Sequence, residues 1–196
     1  NKIEDIQKRI REKFPSLAKA CTAALALHVT LLPLNLSTNE EIEKAKKIFR
    51  ELNSRRHHLN RAELLDAITL KIQGLNRFGR KVLFCDFHED TKKRLRYLWK
   101  EIGQVFYNNS LTGSTFQNVS NYHAHATLMK MSKVPRKVKV RDIDPDVFRC
   151  AHETKIDVEH DAVSIDLLSI NRRPGEYYPV LAELMLEKRR SSASSS

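Results

Sequence analysis

Cysteine is scarce in this sequence: Cys21, Cys85 and Cys150 are scattered and odd in number. None forms a C-x-x-C pair, which argues against a disulfide framework and a cysteine-based zinc site and fits a reducing compartment. Glycine is also sparse, at five residues in 196, and no G-x-x-x-x-G-K-S/T, G-x-G-x-x-G or G-x-S-x-G sequence occurs. That removes the common nucleoside triphosphatase, dinucleotide-binding and serine hydrolase readings. No apolar run approaches the roughly 20 residues that span a bilayer. No secretory leader opens the chain, and Asn1 already lies inside a helical pattern, as expected of a piece of a longer protein.

What is abundant is positive charge. Thirty-five lysines and arginines face 24 acids, for a formal net charge of +11 and a pI near 9.7. Such a surplus favours polyanionic partners, with a lysine-rich solubilising surface as the plain alternative. Hydrophobic content of 41% and charged content of 30% predict a folded chain. The length suits one domain, or one domain made of two lobes, over residues 1–190, with a disordered serine-rich tail at 191–196.

The pattern alternates helices and strands. Ile3, Ile6, Ile10 and Phe14 fall at helical spacing, and Pro15 stops the run. Residues 25–34 read as a strand closed by Pro33. Ser37 and Thr38 precede Glu40 and Glu41, an N-cap signature for a helix to about residue 52. Arg55, Arg56, His57 and His58 form a basic break. Residues 67–75 and 81–87 read as a hairpin around Asn76-Arg77-Phe78-Gly79. Asp90 is the expected cap of a long helix that carries Leu95, Leu98, Trp99, Ile102, Val105 and Phe106 on one face. After a polar loop at 108–121, residues 123–129 alternate as a strand. Asp144-Pro145 opens a short helix through Cys150. Residues 162–170 and 177–186 read as strands joined by the turn Arg172-Arg173-Pro174-Gly175. Helix and motif-bearing strand recur twice in order, which points to α+β with antiparallel sheets.

The chemistry lies in His28-Val29-Thr30 and His125-Ala126-Thr127. Residues i and i+2 of a strand point to one face, so each motif presents an imidazole beside a hydroxyl. Two such strands facing each other surround a common centre with two of each. Phosphodiester cleavage uses that set. One histidine takes a proton from the attacking oxygen and the other gives one to the leaving oxygen. The hydroxyls donate to non-bridging phosphate oxygens, and no metal or other cofactor is needed. Eight histidines and nine threonines in 196 residues give roughly 0.4 chance matches to H-x-T, so one match means little. His152-Glu153-Thr154 is such a match, in a polar stretch after a short helix; the other two lie in apolar strands.

On these residues the sequence resembles the 2H phosphoesterase superfamily, which is defined by paired H-x-T motifs, and within it the central domain of the A-kinase anchoring proteins. Leu27-His28-Val29-Thr30-Leu31-Leu32, Ile72-Gln73-Gly74-Leu75-Asn76-Arg77-Phe78-Gly79 and His125-Ala126-Thr127-Leu128-Met129-Lys130-Met131-Ser132-Lys133 carry the likeness. Asp142-Ile143-Asp144-Pro145-Asp146, Ser164-Ile165-Asp166-Leu167-Leu168 and Tyr177-Tyr178 extend it over most of the chain. The resemblance implies two antiparallel sheets flanking a cleft, helices outside, and one H-x-T per lobe. It implies that His28, Thr30, His125 and Thr127 are catalytic and contact a nucleotide phosphate, with Ala126 in the nucleotide-binding set. It also implies AMP or CMP binding and a phosphodiesterase acting on oligoribonucleotides, 2′,5′-linked oligoadenylate in particular, with base and acid unassigned between His28 and His125. The alternatives are a nucleotide-binding scaffold module with little turnover, and an RNA-processing enzyme of the same fold acting on 3′ ends or cyclic phosphates. Family domains usually begin with a further strand before the first helix, which is not evident here. Binding to the protein kinase A regulatory subunit, where it occurs, belongs to regions outside this chain. A monomer of the cytoplasm or nucleus is expected.

Other residues have two readings each. Phe78 and Tyr122 are candidates to stack on a base, or are ordinary packing. His123 and His125 make an H-x-H pair without an evident third metal ligand. Arg77, Arg80, Lys81, Lys130 and Lys133 are candidate phosphate contacts or solvated charges. Lys188-Arg189-Arg190 and residues 133–141 are candidate import signals. Trp99 is expected in the core.

Overall fold

A computed structural model describes residues 2–54, 66–113, 122–135, 138–153, 155–171 and 176–186. Amphipathic spacing produces the helices α1 (Lys2–Lys13), α2 (Asn39–Ser54), α3 (Glu89–Asn108) and α4 (Pro145–His152). Ile6 and Ile10 of α1, Ala45 and Ile48 of α2, and Leu98 and Phe106 of α3 are the buried faces. Thr38 closes a capping box at α2: its hydroxyl accepts from Glu41 N–H (3.1 Å), and the Glu41 carboxylate accepts from Thr38 N–H (2.9 Å). At α3 the cap is His88, whose Nδ1 accepts from Asp90 N–H, so Asp90 sits in the first turn instead of capping it. Asp144 caps α4, with Pro145 at its first position.

The strands are β1 (Ile68–Phe78), β2 (Val82–Phe87), β3 (Ala126–Lys130), β4 (Asp157–Ala162), β5 (Ser164–Leu168) and β6 (Val180–Met185). They form a four-stranded sheet in the order β3-β2-β1-β4 and a two-stranded sheet β5-β6, with every pairing antiparallel. Gly74 sits at a bulge where the β1–β2 register jumps from Ile72↔Phe87 to Leu75↔Cys85. Its φ of +79° is open to glycine without a Cβ penalty, and its N–H donates to Ile156 O (2.9 Å). β1 therefore continues past the expected hairpin to Phe78, and the turn falls at 79–81, with Gly79 at φ +53°.

Two strand expectations change. Residues 162–170 are not one strand: the chain breaks at Val163, with β4 joining the large sheet and β5 the small one. β4 reads DVEHDA, and its charges suit an edge strand, which leaves no apolar alternation to detect. Residues 25–34 are not a continuous strand. Cys21 pairs with Met129, the chain then turns through a 3₁₀ segment at Ala24–Ala26, and it returns to β3 by the single pair Val29↔Ala126. Residues 23–26 carry no β-branched side chain, which favours that excursion. Toward the C-terminus, Pro179 delays β6 to Val180. The Arg55–His58 cluster, the turn 172–175, most of the loop 108–121, Lys188-Arg189-Arg190 and the tail 191–196 lie outside the described residues.

α2 packs on β6, α3 on β1, and α1 on α4. β2 and β3 are covered on both faces, so Leu83, Phe84, Cys85, Leu128 and Met129 are all buried. The interruption beside β3 strands a carbonyl, and α1 supplies its donor. Gln7, 1% exposed, donates from Nε2 to Thr22 O (2.6 Å) and Leu128 O (3.4 Å). A buried carbonyl left without a donor costs about 1–3 kcal/mol. Gln7→Leu should therefore lower unfolding free energy by about 1–3 kcal/mol in chemical denaturation; an unchanged midpoint would contradict this role.

Asp86 joins β2 to α3. Its carboxylate accepts from Phe87 N–H (2.9 Å) and from Asn76 Nδ2 (3.4 Å), and it pairs with Lys92 Nζ at 3.0 Å. Burial alone raises its pKa, but the Lys92, Phe87 and Asn76 hydrogen bonds together hold it below the usual carboxylate value. A carboxyl depressed on folding contributes stability above its unfolded pKa of about 3.9, and that contribution disappears as pH falls through the lower folded value. Asp86→Asn should be less stable than the parent at pH 7, with the gap closing as pH falls below the unfolded carboxyl value of about 3.9; a gap independent of pH would contradict the assignment.

Candidate active site

The single pair Val29↔Ala126 sets the geometry. Each of these residues is the middle of an H-x-T motif. In antiparallel register the pair carries His28 opposite Thr127 and Thr30 opposite His125. Side chains flanking a paired residue point to the face opposite its own, so all four groups share one face. Directly opposed side chains stand about 4.5–5.5 Å apart at Cβ, and diagonal ones about 7–8 Å. The two imidazoles form one diagonal and the two hydroxyls the other. One phosphate group fills such a diagonal with a hydrogen bond on either side.

Both rings are anchored alike. His28 Nδ1 lies 2.8 Å from Ala26 O, and His125 Nδ1 lies 2.7 Å from His123 O. A carbonyl only accepts, so each Nδ1 carries the proton and donates. In the neutral ring that leaves Nε2 as the lone-pair nitrogen, and among the described residues neither Nε2 has a hydrogen-bond partner. The same contact, to the carbonyl two residues earlier, thus holds both imidazoles in the same tautomer.

Aromatic rings hold each imidazole from the side. The Tyr178 ring meets His28 edge-on at 5.2 Å between centroids. Phe78 and Phe84 meet His125 at 5.0 and 5.3 Å. Phe78 is 39% exposed, whereas Phe84 is buried. His28, His125 and Thr127 are half-buried and Thr30 is exposed.

His123 joins this cluster, against the same two phenylalanine rings as His125. Its ring packs on Phe78 and Phe84 at 5.2 and 5.4 Å, and 6.3 Å from His125. Burial pushes its pKa below the ordinary histidine value, and the nearby His125, Lys92 and Arg96 act the same way against the opposing charge of Asp86. Among the described residues no three of His, Cys, Asp and Glu gather at metal-binding distance.

The remaining sequence candidates fall elsewhere. Tyr122 stacks on Trp99 at 5.2 Å with an 11° interplanar angle, its hydroxyl buried; α3 takes this ring into the core. Arg77 lies over the Phe148 ring at 4.7 Å. Lys81 pairs with Asp142 at 2.9 Å, and Lys133 donates to Thr22 Oγ1 at 2.9 Å. Lys130 and Arg80 are exposed. His152 ends α4 on an exposed helix terminus, and Thr154 lies outside the described residues. The two clearest hollows are lined by Gly74, His152 and Asp157 in one case and by Lys81, Lys130 and Arg141 in the other, both apart from the motif face. Sequence reading missed the carbonyls of Ala26 and His123 as ring anchors, although residue i−2 of a strand histidine is the natural place to look.

Comparison with known proteins agrees with this geometry. The family described as the AKAP7 2′5′ RNA ligase-like domain matches residues 1–186. A-kinase anchor protein 7 isoform gamma of Homo sapiens is 30% identical over 150 residues, which is 74% of this chain and 41% of that protein. The chain therefore spans well under half the length of this relative. Among solved structures, E. coli LigT complexed with 3′-AMP superposes with a TM-score of 0.58 at 18% identity, covering 93% of this chain and 91% of that one. The protein TT0787 of Thermus thermophilus superposes with a TM-score of 0.55 at 17% identity, covering 95% and 94%. At these identities the likeness is one of fold. A match over nearly the whole chain, on a LigT-like fold with two H-x-T segments paired at one face, means that the chain belongs to the AKAP7 2′5′ RNA ligase-like domain family of the 2H phosphoesterase superfamily.

Proposed function

We propose that this chain is a phosphodiesterase that cleaves oligoribonucleotides by two-histidine acid/base catalysis, with 2′,5′-linked oligoadenylate as its substrate. The observation that carries the reading is the matched anchoring of His28 and His125, which leaves two Nε2 atoms available at one face. A site that only held a phosphate would be served by hydroxyls, backbone N–H groups and fixed cations. Two titratable rings in equivalent poses add the ability to remove and supply protons.

On a 2′,5′ linkage the neighbouring ribose 3′-hydroxyl attacks phosphorus while the neutral Nε2 of one histidine takes its proton. The new P–O bond closes a 2′,3′-cyclic phosphate as the bond to the 5′-oxygen breaks. The imidazolium of the other histidine protonates that leaving oxygen, so the pair ends with its protonation states exchanged. Thr30 and Thr127 donate to the non-bridging oxygens, where charge grows in the transition state. Every proton in this scheme passes through side chains of the chain itself. Phe78, partly exposed beside His125, stacks one base.

The test is incubation with 2′,5′- and 3′,5′-linked triadenylate in the presence of EDTA, with products resolved by chromatography. Cleavage of the 2′,5′ form is expected to survive EDTA. His28→Ala and His125→Ala should each lower turnover by roughly two to four orders of magnitude with the fold retained. Losses no greater than those of a remote surface variant would rule out the mechanism. AMP binding without cleavage of either trimer would instead favour a nucleotide-binding scaffold module, a reading suggested by the anchoring protein that this chain resembles.

A further inference from the structure

The phosphate centre is flanked by aromatic rings on both sides, and only one flank has been given a ligand. On the His125 side Phe78 is open to solvent over 39% of its surface. On the His28 side the chain approaching β6 brings two tyrosines. Tyr178 meets His28 at 5.2 Å and is half-buried, so its ring is occupied in bracing the imidazole. Tyr177 meets Tyr178 at 5.8 Å and 83°, one step further out, and is itself 39% exposed. The backbone here is not loose: Ser169 N–H donates to Pro179 O at 2.9 Å, which ties the segment to the end of β5.

We propose that Tyr177, with Tyr178 behind it and Asp166 at its side, is a second nucleoside subsite on the His28 flank. The chain then grips a dinucleotide with one nucleoside on either side of the scissile phosphate. This rests on the phosphodiesterase reading and specifies what that site recognises.

The chemistry of the flank selects a nucleoside over a second phosphate. Asp166 on β5 is half-buried, and one of its oxygens accepts from Ser164 Oγ at 2.7 Å. No cation among the described residues pairs with it, in a chain whose cations outnumber its acids by 35 to 24. A carboxylate repels phosphate and accepts from ribose hydroxyls or an exocyclic amine. Tyr177 supplies an apolar face of the kind that stacks on any base. Burial raises the pKa of its phenol, and the Asp166 charge and Tyr178 raise it further, so the hydroxyl remains a donor at neutral pH. A mononucleotide can fill only one of the two platforms, whereas a dinucleotide fills both without a second loss of translational freedom.

Calorimetry with 3′-deoxy 2′,5′-diadenylate, which lacks the attacking hydroxyl, and with 5′-AMP tests the subsite apart from turnover. The unmodified chain should bind the dinucleotide at least about tenfold more tightly than AMP. Tyr177→Ala should remove most of that advantage, while Tyr177→Phe, which keeps the ring, should retain it and confirm that the position tolerates change. If Tyr177→Ala binds the dinucleotide as tightly as the parent, the subsite is overturned, and parental cleavage of diadenylate would leave the phosphodiesterase reading standing. If the parent neither cleaves nor binds the dinucleotide yet binds AMP, both fall together.

Discussion

The pairing of Val29 with Ala126 is the joint through which two distant stretches of chain become one site. Nearly a hundred residues separate them in sequence, and neither motif alone offers more than one imidazole and one hydroxyl. Antiparallel register at this pair turns two local i, i+2 arrangements into a four-cornered set, because a shift by one residue would send one motif's side chains to the opposite face. Much of the surrounding structure serves to hold that register. Cys21–Met129 and the bond from Thr22 N–H to Leu128 O, at 2.8 Å, fix the segment further along β3. Gln7 supplies a donor to the Thr22 carbonyl where the ladder breaks. Ala26, Ala124 and Ala126 are small and buried, which lets the two backbones approach.

Electrostatics at this face is economical. Backbone carbonyls decide which nitrogen of each ring carries the proton, and aromatic edges fix the ring planes. Neither device places a charged side chain against the His28 or His125 ring. His123 differs: its ring packs on Phe78 and Phe84, its pKa lies below the ordinary histidine value, and its carbonyl anchors the His125 ring. The excess of lysine and arginine elsewhere attracts a polyanion at long range. Several of the basic residues that were candidate phosphate contacts, among them Arg77, Lys81 and Lys133, are already engaged in structural contacts.

The pair of H-x-T segments was legible because its information is local: residue type and a spacing of two on an extended segment. The amphipathic helices were legible for the same reason, and the Thr38–Glu41 box marked the start of α2. What escaped depends on tertiary context. β4 carries charge on an edge and so has no apolar alternation. Residues 25–34 are apolar enough for a strand, yet only Val29 finds a partner in register. Tyr122 lies next to the motif in sequence but is claimed by Trp99 on α3, a contact that no spacing rule contains. Tyr178 takes its place at His28 only because the β5–β6 hairpin docks there, through α2 packing on β6. Choosing His88 over Asp90 as the cap of α3 turned on backbone geometry at one residue.

The central claim is that two imidazoles are held in one tautomer with both Nε2 atoms directed at a common phosphate. The most direct measurement is long-range nitrogen–proton correlation spectroscopy of the histidine rings, assigned with His28→Ala and His125→Ala and repeated after adding 3′-AMP. The account predicts the Nδ1–H tautomer for both neutral rings, with both Nε2 resonances moving when the nucleotide binds. An Nε2–H tautomer in either ring, or an Nε2 that ignores the nucleotide, would contradict it.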